Sequence, residues 1–286
     1  LDEGVLDEKM IEDYRNVIKN EIEEGLELAY AETLPPPNTE LELKDMYMPF
    51  ELDEITPSGN KTNKRFIDAI SDGLRLAMRK HPNLVLMGQD IAEYGGAFKI
   101  TSGLSSLAKN RVISTPISES GFTGYGIGLA LAGNPVIVEI MFGDFITQNF
   151  DQIVHQLSKI PSMYGMQIKL PLILRAAVGS GNGYGPTHSS YLDACLLGLP
   201  NIDLVSVNPF TNYLDYLKNS IASGRPMIIF EPKRMYQTQA TPQLYSEYYL
   251  GSGSNSNFQI GLIDFDDTDY FNTLRMKMGW GTRGES

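Results

Sequence analysis

Cysteine occurs once in the 286 residues, at Cys195. A single thiol closes no internal disulfide, which excludes a disulfide-stapled scaffold and fits a reducing compartment. Histidine is nearly as scarce, with only His81, His155 and His188. No Cys or His recurs at zinc-ligand spacing, so no metal site is expected. No apolar run approaches the ~18 residues of a spanning helix. The opening Leu1-Asp2-Glu3-Gly4 does not resemble a signal peptide. Basic residues number 23 against 35 acidic ones, leaving no basic stripe for nucleic acid. A glycine-lysine phosphate loop of the Walker type is absent as well. These absences predict a soluble, cytoplasmic protein with neither nucleic acid nor membrane as partner. The 42% hydrophobic and 20% charged composition suits one large or two modest domains with a real core.

What is present is unevenly spread. Residues 1–60 carry a net charge of −13 and the other 226 residues +1, which sets the first stretch apart. There Met10, Ile11, Tyr14, Val17, Ile18, Ile22, Leu26 and Ala29 recur every three or four residues. This predicts an amphipathic helix with Asp7 as N-cap. Pro35-Pro36-Pro37 ends it and opens an extended polar tether to about Lys61. A lone amphipathic helix needs a partner surface for its stripe.

From residue 62 to 249 the rhythm is α/β. Phe66, Ile67, Ile70, Leu74, Ala77 and Met78 make a first helix. Strands are predicted at 84–87, 112–114, 136–140, 170–174, 204–207 and 227–230, and helices at 122–132, 146–159 and 212–222. Near-continuous apolar strands alternating with helices mean a mostly parallel sheet covered on both faces. Residues 250–286 remain unassigned. The run Gly251–Asn257 reads as a flexible linker, and 258–265 as one possible strand.

Two constellations can carry chemistry. His188 lies in a glycine-rich loop, Gly179 to Ser190, where α/β sheets place ligand contacts. An ordinary loop histidine is the plainer alternative. His81 precedes Pro82 at a helix end and suits a cap or the surface; His155 suits helix packing. The second constellation runs Ser114-Thr115-Pro116-Ile117-Ser118-Glu119-Ser120-Gly121-Phe122, with further glycines at 124, 126 and 128. So many glycines imply close approach of backbone or ligand. Glu119 opens this helix among apolar neighbours, where a carboxyl can keep its proton. It equally suits an acid facing the helix macrodipole, and spacing alone does not separate the two.

Several stretches occur together in order: Met87-Gly88-Gln89-Asp90-Ile91-Ala92-Glu93-Tyr94-Gly95-Gly96, Thr115–Phe122, Phe150-Asp151-Gln152-Ile153, Gly185-Pro186-Thr187-His188-Ser189 and Phe230-Glu231-Pro232-Lys233. From about Phe66 to Tyr236 the chain resembles the beta subunit of the decarboxylating component of 2-oxo-acid dehydrogenase complexes, of the pyruvate and branched-chain type. Residues 1–50 resemble the C-terminal helix and acidic tail of the alpha subunit, as in an alpha–beta fusion.

The resemblance implies the pyrimidine-binding domain of a thiamine-diphosphate enzyme of transketolase-like fold. Glu119 would hydrogen-bond a ring nitrogen of the aminopyrimidine and share its proton. Ile117, Phe145 and Gln148 match positions lining that pocket, with core packing the alternative for each. His188 matches the histidine that reaches the substrate and the incoming lipoyl group. Diphosphate and magnesium would be held mainly by an alpha-type domain or subunit, in a heterotetramer or a fused homodimer. A dihydrolipoyl acyltransferase component would take the acyl group. Ser190 stands where the family often has Gln. Ser223 and Arg225 replace the usual Asp and Asn of a structural potassium site, so no potassium is expected there. The family's C-terminal domain has no counterpart in residues 251–286. A transketolase or deoxyxylulose-phosphate-synthase relative, and a non-catalytic assembly subunit, are the competing expectations.

Overall fold

The computed structural model describes residues 6–34, 36–46, 64–180, 183–209, 212–240, 248–253 and 256–263. They fall in two compact units, Leu1–Glu42 and Leu43–Ser286. In the first, helix α1 (Glu8–Ala31) starts where expected, the Asp7 carboxylate accepting the Met10 N–H at 2.7 Å. It ends as Glu32 turns extended ahead of the prolines. None of its residues is buried. The expected tether is not wholly extended, because α2 (Thr39–Met46) lies within it. Asn38 supplies the reason: its side-chain oxygen accepts the Leu41 N–H at 3.0 Å and caps the turn. Residues 47–61 of the tether, and the tail beyond residue 263, lie outside the described residues.

The second unit begins with β1 (Lys64–Arg65) and α3 (Phe66–Lys80), then β2 (Val85–Gly88), α4 (Leu104–Leu107), β3 (Val112–Ser114) and α5 (Glu119–Leu131). It continues with β4 (Val136–Ile140), α6 (Ile160–Met163), β5 (Leu172–Val178), β6 (Asp203–Ser206), α7 (Tyr213–Ser223), β7 (Met227–Pro232), β8 (Gln239–Ala240), β9 (Tyr248–Gly253) and β10 (Ser256–Ile263). The main sheet runs in the order β3-β2-β4-β5-β7-β6-β10-β9. All its neighbours are parallel except the β9–β10 pair. β1 and β8 form a separate antiparallel pair.

Every residue of β4 and β5 is buried, as a sheet covered on both faces requires. Successive strand residues point to opposite faces. Ile137, Ile173 and Ile229 meet Phe66, Ile70 and Leu74 of α3 and Leu217 of α7. Val136, Val138, Leu172 and Leu174 meet Phe122 and Ile127 of α5. Each such side chain contributes about 1.5–3 kcal/mol by leaving water.

Three elements differ from expectation. β5 begins two residues later and runs on through Arg175, whose charge masked the strand because its partners are distant in sequence. The helix expected over 146–159 is a 3-10 segment, Gly143–Asn149, followed by a π turn, Gln152–Leu157. The Thr147 hydroxyl bonds the Asp144 carbonyl at 2.9 Å, a local alternative to helical bonding. Gly143 packs so close that a Cβ would stand 2.4 Å from Val178. The expected linker at 251–257 instead contributes to a hairpin, its described residues belonging to β9 and β10. β10 pairs with β6, Phe258 opposite Leu204, satisfying a backbone edge otherwise left open.

Candidate functional site

Parallel strands present ligands at their C-terminal ends, most often where the strand order reverses. Here β2 lies between β3 and β4, and the chemistry-bearing side chains follow consecutive strands across the sheet. Gln89 follows β2, Glu119 follows β3, Phe142, Phe145 and Gln148 follow β4, His188 follows β5, and Lys233 follows β7.

Glu119 owes its place to the turn after β3. The Thr115 N–H bonds the Gly88 carbonyl at 2.9 Å, extending the strand pairing. Pro116 then redirects the chain, and Glu119 becomes the first residue of α5, 4% exposed. The amide of Gln89, also buried, donates to Glu119 Oε1 at 3.1 Å. No other side chain among the described residues bonds this carboxylate, so Oε2 remains open to a ligand. Glu119 is thus buried and also occupies the first turn of α5. The glycines of α5 divide: a Cβ on Gly126 would meet Val138 at 3.0 Å, whereas Gly128 faces open space. Close packing on β4 therefore explains Gly126 and not Gly128.

His188 stands in an aromatic corner. Its ring meets the Phe142 and Phe145 rings edge-on, with centroids 4.7 and 5.2 Å away. Tyr184 and Phe98 extend the cluster through Phe142. The Thr187 hydroxyl lies 2.8 Å from His188 Nδ1. Asp144 accepts the Ser190 N–H with both oxygens, at 3.1 and 3.3 Å. Burial holds Lys233 below the ordinary lysine range, and Asp144 offsets part of that.

Of the residues singled out from sequence, Phe145 joins His188, and Glu119 is the buried carboxylate. Ile117 is 86% exposed, so the core-packing alternative fails for it. Gln148 is exposed on the 3-10 segment. His155 is exposed rather than packed, 3.2 Å from Lys159, whereas His81 is the C-cap of α3. Gln89, Phe142, Asp144 and Lys233 were not anticipated. Gln89 and Lys233 do lie within stretches that carry the resemblance, and all four fall within a few residues of the end of an apolar strand.

Beneath the site lies a buried charge cluster. Arg175 donates to Glu231 twice, from Nε at 2.8 Å and Nη2 at 2.6 Å, and from Nη1 to Glu139. Tyr213 and Tyr236 donate to the two oxygens of Glu231 at 2.6 and 2.9 Å. Burial pushes Glu139 above the ordinary carboxyl range despite Arg175, and Glu231 adds to the rise. Burial opposes the charge on Arg175, but Glu231 and Glu139 override it and hold the guanidinium well above its ordinary value. Burial, then the charge of Glu231, also raises both tyrosines.

Among the described residues no three His, Cys, Asp or Glu side chains are placed to hold a metal, and no helix is long and apolar enough to cross a membrane. Near 220–225 the Arg225 guanidinium pairs with buried Asp203 at 2.8 Å, and the Ser220 hydroxyl bonds the Arg225 carbonyl at 2.7 Å.

Comparison with known proteins finds relatives over much of the chain. The chain is 34% identical over 201 residues to the 2-oxoisovalerate dehydrogenase subunit beta 2, mitochondrial, of Arabidopsis thaliana, covering 70% of this chain and 55% of that one. It is 32% identical over 175 residues to the pyruvate dehydrogenase E1 component subunit beta of Staurastrum punctulatum, covering 61% and 53%. It thus spans about half the length of the curated relatives it matches. A solved structure described as a split gene transketolase, inactive beta4 tetramer, is 19% identical with a TM-score of 0.46, covering 66% of this chain and 55% of that one. A family profile described as transketolase, pyrimidine binding domain, matches residues 63–239. With the parallel sheet and the carboxylate at its switch point already placed within those limits, the chain belongs to the transketolase pyrimidine-binding domain family.

Proposed function

We propose that this chain is the beta-type half of a 2-oxo-acid dehydrogenase, acting on pyruvate or a branched-chain 2-oxo acid with thiamine diphosphate as cofactor. One observation carries the reading: a buried carboxylate at the switch point of a parallel sheet, held on one oxygen and open on the other. A purely structural buried acid would have its oxygens satisfied. Thiamine diphosphate, when bound, supplies the nucleophilic carbon and electron sink that 2-oxo-acid decarboxylation needs.

The chain's own residues then have separable tasks. Glu119 Oε2 holds a proton toward a ring nitrogen of the aminopyrimidine, while the Gln89 amide fixes Oε1 and thereby the plane of the carboxylate. The exposed face of Ile117 and the half-buried Phe145 offer apolar walls to the ring, and Gln148 offers an amide at the rim. His188, with its ring set by Phe142 and Phe145, donates or shuttles a proton to substrate and to the lipoyl group of an acyltransferase component. The exposure of Ile117 supports a pocket completed by an alpha-type domain, which would bring magnesium and the diphosphate site. The acidic helix α1 belongs on this reading to an alpha-subunit tail, as in an alpha–beta fusion.

Calorimetric titration of thiamine diphosphate with magnesium, on the chain alone and with an alpha-type subunit, tests the reading. Saturable binding only with the partner, weakened by Glu119→Gln, is expected. Binding indifferent to Glu119→Gln would overturn it.

A further inference from the structure

Lys233 opens the 3-10 turn that follows β7 and is 2% exposed. A buried ammonium is unfavourable unless it is hydrogen-bonded, and an apolar side chain of similar length would fill the same space. Its contacts suggest a reason for the charge. Nζ donates to the His188 carbonyl at 2.9 Å and stands 5.2 Å from the centre of the Phe142 ring. Phe142 is also the ring whose contact orients the His188 imidazole. Two residues on, the Ser190 N–H is held by Asp144 and its carbonyl accepts the Gly179 N–H at 3.0 Å. Lys233 therefore grips the loop at His188 itself, while Asp144 and Gly179 grip it at Ser190.

We propose that Lys233 is a positioning residue: its ammonium, bridging the His188 carbonyl and the Phe142 ring, fixes the imidazole of His188 for proton transfer. The catalytic half of this inference rests on the proposed function, but the positioning half does not. A lysine suits the task because one compact cation satisfies a carbonyl and an aromatic face together. An imidazole displaced by even 1 Å would lose about 10- to 100-fold in rate.

The test uses the full chain. Its three histidines give three imidazole signals by NMR, with His188 assigned from its loss in His188→Gln. In the wild type, the Phe142 and Phe145 rings should displace the His188 signal from the free-histidine position. Lys233→Met should move it toward that position and leave His81 and His155 unmoved. An unmoved His188 signal in folded Lys233→Met overturns the proposal. If that variant does not fold, the wild type decides. A slowly exchanging Lys233 ammonium with a cross-relaxation contact to the Phe142 ring is expected, and its absence overturns the proposal equally. With an alpha-type subunit added, pyruvate or 2-oxoisovalerate turnover by Lys233→Met should fall about 10- to 100-fold at unchanged thiamine diphosphate affinity. An unchanged turnover overturns the catalytic half. A wild type that turns over neither acid sinks the proposed function instead, with the NMR result still standing.

Discussion

Glu231 and Glu119 are both buried near the C-terminal edge of one parallel sheet, yet their surroundings are opposite. Glu231 is fully buried and receives four hydrogen bonds, two from Arg175 and one each from Tyr213 and Tyr236. Glu119 receives one, from the neutral amide of Gln89. A carboxylate saturated by donors has its charge settled and its geometry fixed. One held on a single oxygen keeps a lone pair available to whatever enters the crevice. The difference separates a buried acid that builds the fold from one that can act on a ligand, where burial alone would treat them alike.

The comparison breaks most visibly at Arg175. Arg175→Met removes the cation that Glu139 and Glu231 share and leaves both acids uncompensated in the core. The expected loss is about 3–5 kcal/mol of stability, the usual result of stranding a buried charge, read by urea unfolding. A loss below about 1 kcal/mol would mean the cluster is not structural. Glu119→Gln should behave in the contrary way. Its unfolding free energy should stay within about 1 kcal/mol of wild type, while turnover with an alpha-type subunit falls about 100-fold, the lower range for removing an acid–base group. A variant that loses stability and activity in proportion would erase the distinction.

Gln89→Leu sharpens the same contrast with a smaller effect. It leaves Glu119 in place but removes the bond that fixes Oε1. A hydrogen bond contributes about 1 kcal/mol, so thiamine diphosphate affinity should weaken roughly fivefold by calorimetry. Unchanged affinity would reduce Gln89 to a packing residue.

These residues also mark what sequence can and cannot disclose. β4 was legible to the residue, because Val136, Ile137, Val138 and Ile140 are apolar and Glu139 is the one charge among them. α1 was legible from its period and from Asp7, since capping is a local effect. Glu119 was visible as a candidate because a proline turn, an acid and a glycine-rich helix adjoin. Gln89, Asp144 and Lys233 were not, since their partners lie 30, 46 and 45 residues away. No local pattern says that a glutamine after one strand meets a carboxylate after another. Arg175 misled for the same reason: read alone, a charge ends a strand, and only the fold brings Glu231 opposite it. The 3-10 and π segments after β4 kept a helical apolar spacing, so periodicity reported one helix where the backbone makes two irregular turns.

The gentlest expected change is a slope rather than a step, and it concerns the third acid, Glu139. Arg175 gives two nitrogens to Glu231 and one to Glu139, so Glu139 is left underserved, and burial with the nearby Glu231 charge raises it above the ordinary carboxyl range. A carboxyl raised in the folded protein binds its proton more tightly there than in the unfolded chain. Its stabilising contribution is therefore complete below about pH 4, where the unfolded group is also protonated, and is lost as pH rises through the raised value. Glu139→Gln has no such proton to release. The stability of wild type relative to this variant should accordingly decline from about pH 4 upward and level off once Glu139 is ionised, measured by urea unfolding across that range. A flat or rising difference would show that Arg175 compensates Glu139 as fully as it does Glu231. The cluster would then hold two saturated acids, and Glu119 would be the single undersupplied carboxylate of the three.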